Sequence, residues 1–167
     1  MNSTSGSLRN SVRAVLLLLT MGCVSALAQK DDAPRYAAPA NGKPLCTVKI
    51  HVTGFRNQKG NAGATIFTSA DGWPENNNKA LVHGPFPIEG NEATGTFQVP
   101  AGKYGVAAIH DENSNHKLDK NFLGIPKEGF GFANNPRVML SAPSFDTAAV
   151  QVSCPVTQVD IRLIYKN

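Results

Sequence analysis

Apolar and polar side chains alternate with a period of two through most of the chain beyond Leu45. Cys46, Val48, Ile50 and Val52 fall on one face, and Thr47, Lys49, His51 and Thr53 on the other. That period is the mark of a half-buried strand. It recurs at 93–99, where Gly95, Phe97 and Val99 oppose Thr94, Thr96 and Gln98, and at 103–110, where Tyr104, Val106 and Ala108 share a face. It returns at 158–165 with Val159, Ile161, Leu163 and Tyr165. Strands are also predicted at 62–69 and 148–153. A poorer one at 79–88, interrupted by Gly84, Pro85 and Pro87, belongs at a sheet edge. Turn formers separate the segments, as in DGWPENNN at 71–78 and at Pro100, Ala101 and Gly102. No helical period is sustained. About seven short strands between Gly/Pro turns predict an all-β fold: one antiparallel β-sandwich of immunoglobulin or transthyretin-like type, with a single long loop.

The first 44 residues do not share this pattern. Arg9 and Arg13 precede an apolar run at 12–24, and Ala26, Leu27 and Ala28 supply small residues where a signal peptidase reads. The run is shorter than the ~20 residues that a spanning helix needs. An export signal at 1–28 is therefore expected, with lipid attachment at Cys23 the less favoured route, and a periplasmic or secreted location follows. The stretch 29–44 is rich in Ala, Pro and charge and reads as a disordered linker, which leaves 45–167 as the domain.

Removing the signal lowers Lys plus Arg from 16 to 14 against 12 Asp plus Glu, so the net charge falls to 14 − 12 = +2. The basic residues form no stripe, which argues against nucleic acid as a partner, and no amphipathic helix suggests stable membrane insertion. Cys46 and Cys154 then remain as an even pair, which in an oxidising compartment reads as a disulfide.

The candidate chemistry sits in the loop 110–136, HDENSNHKLDKNFLGIPKEGFGFANNP. Asp111, Asn113, Asn115, the Lys117 carbonyl and Asp119 match positions one, three, five, seven and nine of a calcium loop. His116 and Phe122 stand where such a loop wants Gly and a bidentate Glu; Glu112 and Glu128 are the other carboxylates in range. Two readings follow: a Ca²⁺ site of modest affinity, ~10⁻⁴–10⁻³ M, or a turn whose Asp and Asn side chains satisfy their own backbone. Phe122, Phe130 and Phe132, with Trp73 from another loop, form either an aromatic platform for a glycan or peptide or a plug on the core. Asn134 and Asn135, before Pro136, either orient a ligand or cap the loop.

Catalysis has little support. His51, His83, His110 and His116 show no ligand spacing, and neither a nucleophile elbow nor a phosphate-cradling Gly loop is present.

Two resemblances bear on the fold. VPAGKYGV at 99–106 is similar to the Pro-x-Gly-x-Tyr-x-Val turn of transthyretin-like and carboxypeptidase-regulatory-like sandwiches. The loop HDENSNHKLDKNFLGIPKEGFGFANNP resembles the hallmark of an uncharacterised bacterial family of exported proteins, domain-of-unknown-function family 2141. His116 stands where that pattern has Gly. The resemblance implies an exported single-domain sandwich with no assigned activity. The expected function is accordingly a non-catalytic binding or structural module, monomeric, with an unknown protein or glycan partner. The alternative is a small-ligand or glycan carrier using the aromatics of 122–136.

Overall fold

The computed structural model describes residues 36–38 and 41–166. The expected export signal, Cys23 and most of the expected linker lie outside the described residues. Ten strands form among the described residues: β1 (Tyr36–Ala37), β2 (Leu45–Thr53), β3 (Asn61–Phe67), β4 (Val82–Phe86), β5 (Ile88–Glu89), β6 (Glu92–Pro100), β7 (Gly102–Asp111), β8 (Gly129–Phe132), β9 (Ala149–Val152) and β10 (Val156–Arg162). Two short 3₁₀ turns, Asn77–Lys79 and Asp146–Ala148, are the helical elements among the described residues.

The first sheet runs β1-β6-β2-β10, with β5 sharing the β1 edge of β6. The second runs β4-β3-β7-β8, with β9 continuing the β8 edge of β7. The fold is thus a β-sandwich. Its core forms where the alternating apolar faces meet: Val48, Ile50 and Val52 of β2, with Phe97 of β6, against Ile66 of β3 and Val106 of β7. As expected from its prolines, β4 is an edge strand. Cys46, at the start of β2, is bonded to Cys154, two residues before β10, with their Cα atoms 4.6 Å apart. Closing a loop of 108 residues restricts the unfolded chain and stabilises the domain by about 2–4 kcal/mol.

Three features differ from the sequence expectation. The sandwich is not purely antiparallel, because β10 pairs with β2 in parallel from Val156↔Thr47 to Arg162↔Thr53, and β1 pairs with β6 in parallel. Nothing in local alternation distinguishes the two directions. Part of the expected linker is structured: Tyr36 stacks on Phe97 with ring centroids 5.2 Å apart and donates its hydroxyl to the Pro85 carbonyl at 2.6 Å.

The long loop, finally, holds a strand. In β8, GFGF, the glycines face inward and the phenylalanines outward. A Cβ on Gly131 would come within 2.6 Å of Ile161 Cγ2, and one on Gly129 within 2.5 Å of the Tyr165 ring, so only glycine lets the C-terminal segment pass this close. That segment crosses from the first sheet to the second, where Ile164 and Phe130 exchange both backbone hydrogen bonds.

Candidate functional site

The second sheet is covered on both faces. Ala107, Phe130 and Phe132 point away from the sandwich core yet are buried, packing with Ala148, Trp73 and Ile109 into a second apolar cluster. Two segments provide the cover. One is a strap, residues 112–128, that leaves β7, crosses the outer face and returns as β8. Its far end reaches the loop after β3, where Lys120 Nζ meets Glu75 Oε1 at 2.5 Å. The other is 138–148, fixed by Trp73 Nε1 donating to the Pro143 carbonyl at 2.9 Å.

The strap begins with the acidic and amide run singled out in the sequence. Asp111 is buried and accepts the backbone N–H groups of Asn115 at 3.0 Å and His116 at 2.7 Å. Asn113 and Asn115 accept the N–H groups of Asn115 and Lys117, and their amides donate to the two oxygens of Asp119 at 2.8 and 3.0 Å. Glu128 clasps the two ends of the run, accepting N–H from Glu112 at 2.8 Å and from Asp119 at 2.9 Å. His116 takes φ +62°, the left-handed conformation that Gly would adopt more cheaply. Each Asp119 oxygen accepts one amide N–H and keeps a second acceptor position. The hydrogen-bond pattern is that of an Asx-rich turn.

Between the strap, segment 138–142 and the sheet lies a groove of about 1110 Å³. Gly63 and Thr65 of β3, Ala107 and Ile109 of β7 and Phe130 and Phe132 of β8 form its floor. Leu123 and Ile125 of the strap and Met139 and Leu140 of the facing segment form its rim. Phe130 and Phe132, expected on a partner-facing surface, are only 6% and 5% exposed and serve as floor instead. Trp73 sits behind them, its ring 5.7 Å from that of Phe132. Asn134 and Asn135 are committed to structure: Asn134 donates to the Thr147 and Ala149 carbonyls, while Asn135 donates to the Asp160 carbonyl and accepts from the Arg162 N–H.

A family model described as "Uncharacterized protein conserved in bacteria (DUF2141)" matches residues 50–160, well over half of the chain. The chain belongs to that family. No curated protein and no solved structure matches it. The matched span contains the whole strap and every groove-lining residue except Tyr36 and Lys166. The family thus covers the site without naming a chemistry for it.

A polar network at the sandwich end near the strap was not legible in the sequence. His110 is fully buried, and its Nε2 faces the Lys59 carbonyl at 2.8 Å, so that nitrogen carries the proton. Nδ1 then accepts from the Tyr165 hydroxyl at 2.8 Å, which in turn accepts the Arg56 N–H at 3.1 Å. Arg56 lies over the Tyr165 ring, 4.8 Å from its centroid, and binds Glu112 at 2.6 Å. Burial raises the Glu112 carboxyl pKa, but hydrogen bonds from Arg56 and Asn57 outweigh it, and the carboxyl is held below its ordinary range. Burial also pushes the Tyr165 phenol up. These groups satisfy one another, and the neighbouring Asp111 carboxylate is held by the Asn115 and His116 N–H groups.

Proposed function

We propose that this protein is a non-catalytic carrier, acting outside the cytoplasm, that takes a small elongated apolar molecule into the groove between the strap and the second sheet. The observation that carries this reading is the groove itself. Its volume of about 1110 Å³ suits a ligand of drug size or slightly larger. Its floor is built from Gly63, Thr65, Ala107, Ile109, Phe130 and Phe132 on rigid strands, apolar except for the Thr65 hydroxyl. A glycan would find few hydrogen-bond partners on that floor, and the two phenylalanines lie too deep to offer an open stacking platform. The Asn, Asp and Glu groups of the strap are engaged with its own N–H groups or, for Glu112, with Arg56 and Asn57, which supports binding over catalysis. The Cys46–Cys154 bond fits an oxidising compartment.

The test is titration with an environment-sensitive naphthalene sulfonate dye, followed by competition with long-chain fatty acids and other apolar compounds. Thr65→Trp, which fills the floor from a half-buried position on β3, serves as the blocked chain. Saturable one-site binding should weaken at least about tenfold in the blocked chain, the equivalent of ~1.4 kcal/mol, with the melting temperature held. Dye binding that is absent, or indifferent to Thr65→Trp, would sink the carrier reading.

A further inference from the structure

Five of the six large apolar residues standing exposed among the described residues belong to the two segments that flank the groove mouth: Phe122, Leu123 and Ile125 on the strap, Met139 and Leu140 opposite. Single exposed apolar side chains are ordinary, but a cluster of five on adjoining loops marks an interaction surface. Phe122 is 95% exposed and Leu140 102%. Both side chains stand almost wholly free of the rest of the domain.

Most backbone donors of the strap tip are met within the turn itself. The Asn121 side-chain oxygen accepts the N–H groups of Leu123 at 2.9 Å and Ile125 at 3.0 Å, and the Asn121 carbonyl accepts that of Gly124 at 2.9 Å. Asn121 N–H returns to the Ile125 carbonyl at 2.9 Å. Three consecutive backbone donors are thereby satisfied inside the turn. A tip that enters hydrocarbon requires this, because an unmet N–H there costs several kcal/mol.

The charges beside these tips balance to positive. Between residues 117 and 143 the chain carries Lys117, Lys120, Lys127 and Arg137 against Asp119 and Glu128, a balance of 4 − 2 = +2. Glu128 is buried and Asp119 is held by the Asn113 and Asn115 amides. Lys117, Lys127 and Arg137 are exposed and make no ion pair with any described residue. Lys127 lies two residues from Ile125, and Arg137 two from Met139. No helix among the described residues is long and apolar enough to cross a membrane.

We infer that the tips at 122–125 and 139–140 dock this domain onto an anionic lipid bilayer. Phe122, Leu123 and Leu140 enter the interface, and Lys117, Lys127 and Arg137 meet the headgroups. Apolar area and basic charge are the two contributions that hold a peripheral protein on such a surface. The groove opens between the inserted segments, so its mouth would face the lipid. Docking does not depend on what the groove holds, and a Thr65→Trp chain should still dock.

The test places an indole at each tip. Full-length Phe122→Trp and Leu140→Trp chains, otherwise holding only Trp73, are mixed with vesicles of brominated phosphatidylglycerol or brominated phosphatidylcholine. The reading is local to the loops, so the apolar run at 12–24 does not generate it. Both new indoles should blue-shift and be quenched on phosphatidylglycerol, with partition at least about tenfold weaker on phosphatidylcholine. Salt of about 0.5 M should release them. Lys127→Glu combined with Arg137→Glu should lower the partition by about tenfold or more without moving the melting temperature. Indoles that stay unquenched on phosphatidylglycerol overturn the inference, as does equal quenching on both lipids. A concentration-dependent dimer that Leu140→Asp abolishes would assign the tips to a second copy, and would overturn it too.

Discussion

The outward faces of the two sheets are built from the same kind of strand and meet opposite fates. In β2 buried and half-buried residues alternate without a break, and the outward side chains, Thr47, Lys49 and His51 among them, stay half-buried. In β7 seven of ten residues are buried, including Gly105, Ala107 and Asp111 on the outward side. The first sheet spends one face on the core, while the second spends one on the core and one on the strap, the aromatic cluster and the groove. A face becomes a site here by being covered incompletely, with small residues where the cover stands off.

The comparison breaks most sharply at Phe132. Its outward side chain is nearly inaccessible, so Phe132→Ala should destabilise the domain by about 3–5 kcal/mol. Thr94→Ala, on the exposed outward face of β6, should stay within about 0.5 kcal/mol. Urea unfolding of the two variants decides it, and equal losses would mean that the second face is not a true core. Next in size is Tyr165→Phe. It removes the donor to His110 Nδ1 and the acceptor for the Arg56 N–H, and should cost about 1–3 kcal/mol by the same measurement.

Smaller effects follow the pH. On the first sheet His51 Nε2 meets Glu92 at 2.9 Å and Nδ1 meets Asp160 at 3.2 Å. The hydrogen bond to Glu92 raises its pKa, burial opposes this, and Asp160 adds to the rise. Because the folded value lies above the unfolded one, the stabilisation is fully present below about pH 6.5 and fades as pH climbs through the raised value. For Glu112, held low, the sign reverses: its contribution is present above the ordinary Glu range and is lost as pH falls through the depressed value. His51→Gln should therefore flatten the alkaline side of a stability–pH curve, by under about 1 kcal/mol since the pair is solvent-screened, and leave the acid side alone. Least of all, melts in calcium and in chelator should coincide, because the N–H groups held by Asp111 and Asp119 already order the run without an ion. A rise in calcium that Asp119→Ala abolishes would show instead that the strap reorganises around the ion.

Much of the frame was readable from period two alone, since β2, β6 and β7 each set apolar side chains against polar ones or against glycine. The edge position of β4 followed from Pro85. What escaped has a physical reason in each case. GFGF at 129–132 alternates like a strand, but with glycine on the core side, so the pattern points the wrong way until Ile161 and Tyr165 are seen filling the space. Tyr36 sits among Ala and Pro residues that cannot pack by themselves, and finds Phe97 only through the fold. The direction of β10 against β2 leaves no local trace. The aromatics Trp73, Phe130 and Phe132 were legible as a group and do come together. Their floor, by contrast, draws on Gly63, Thr65 and Ala107 from separate strands of small residues, which no local motif would flag.

The parallel pairing of β2 and β10 has a mechanical consequence. Parallel neighbours run in the same direction, so Leu45, where the chain enters β2, and Arg162, where it leaves β10, lie at opposite ends of one seven-position ladder. In a chain without a cross-link, tension applied between these two points would load all the rungs together in shear, whereas an antiparallel pair would unzip one rung at a time. The covalent bond from Cys46 to Cys154 takes the 108-residue stretch between them out of the load path altogether. Chain tethered at one end and pulled at the other would lengthen only outside those cysteines, with the strap and groove carried as an unstretched passenger.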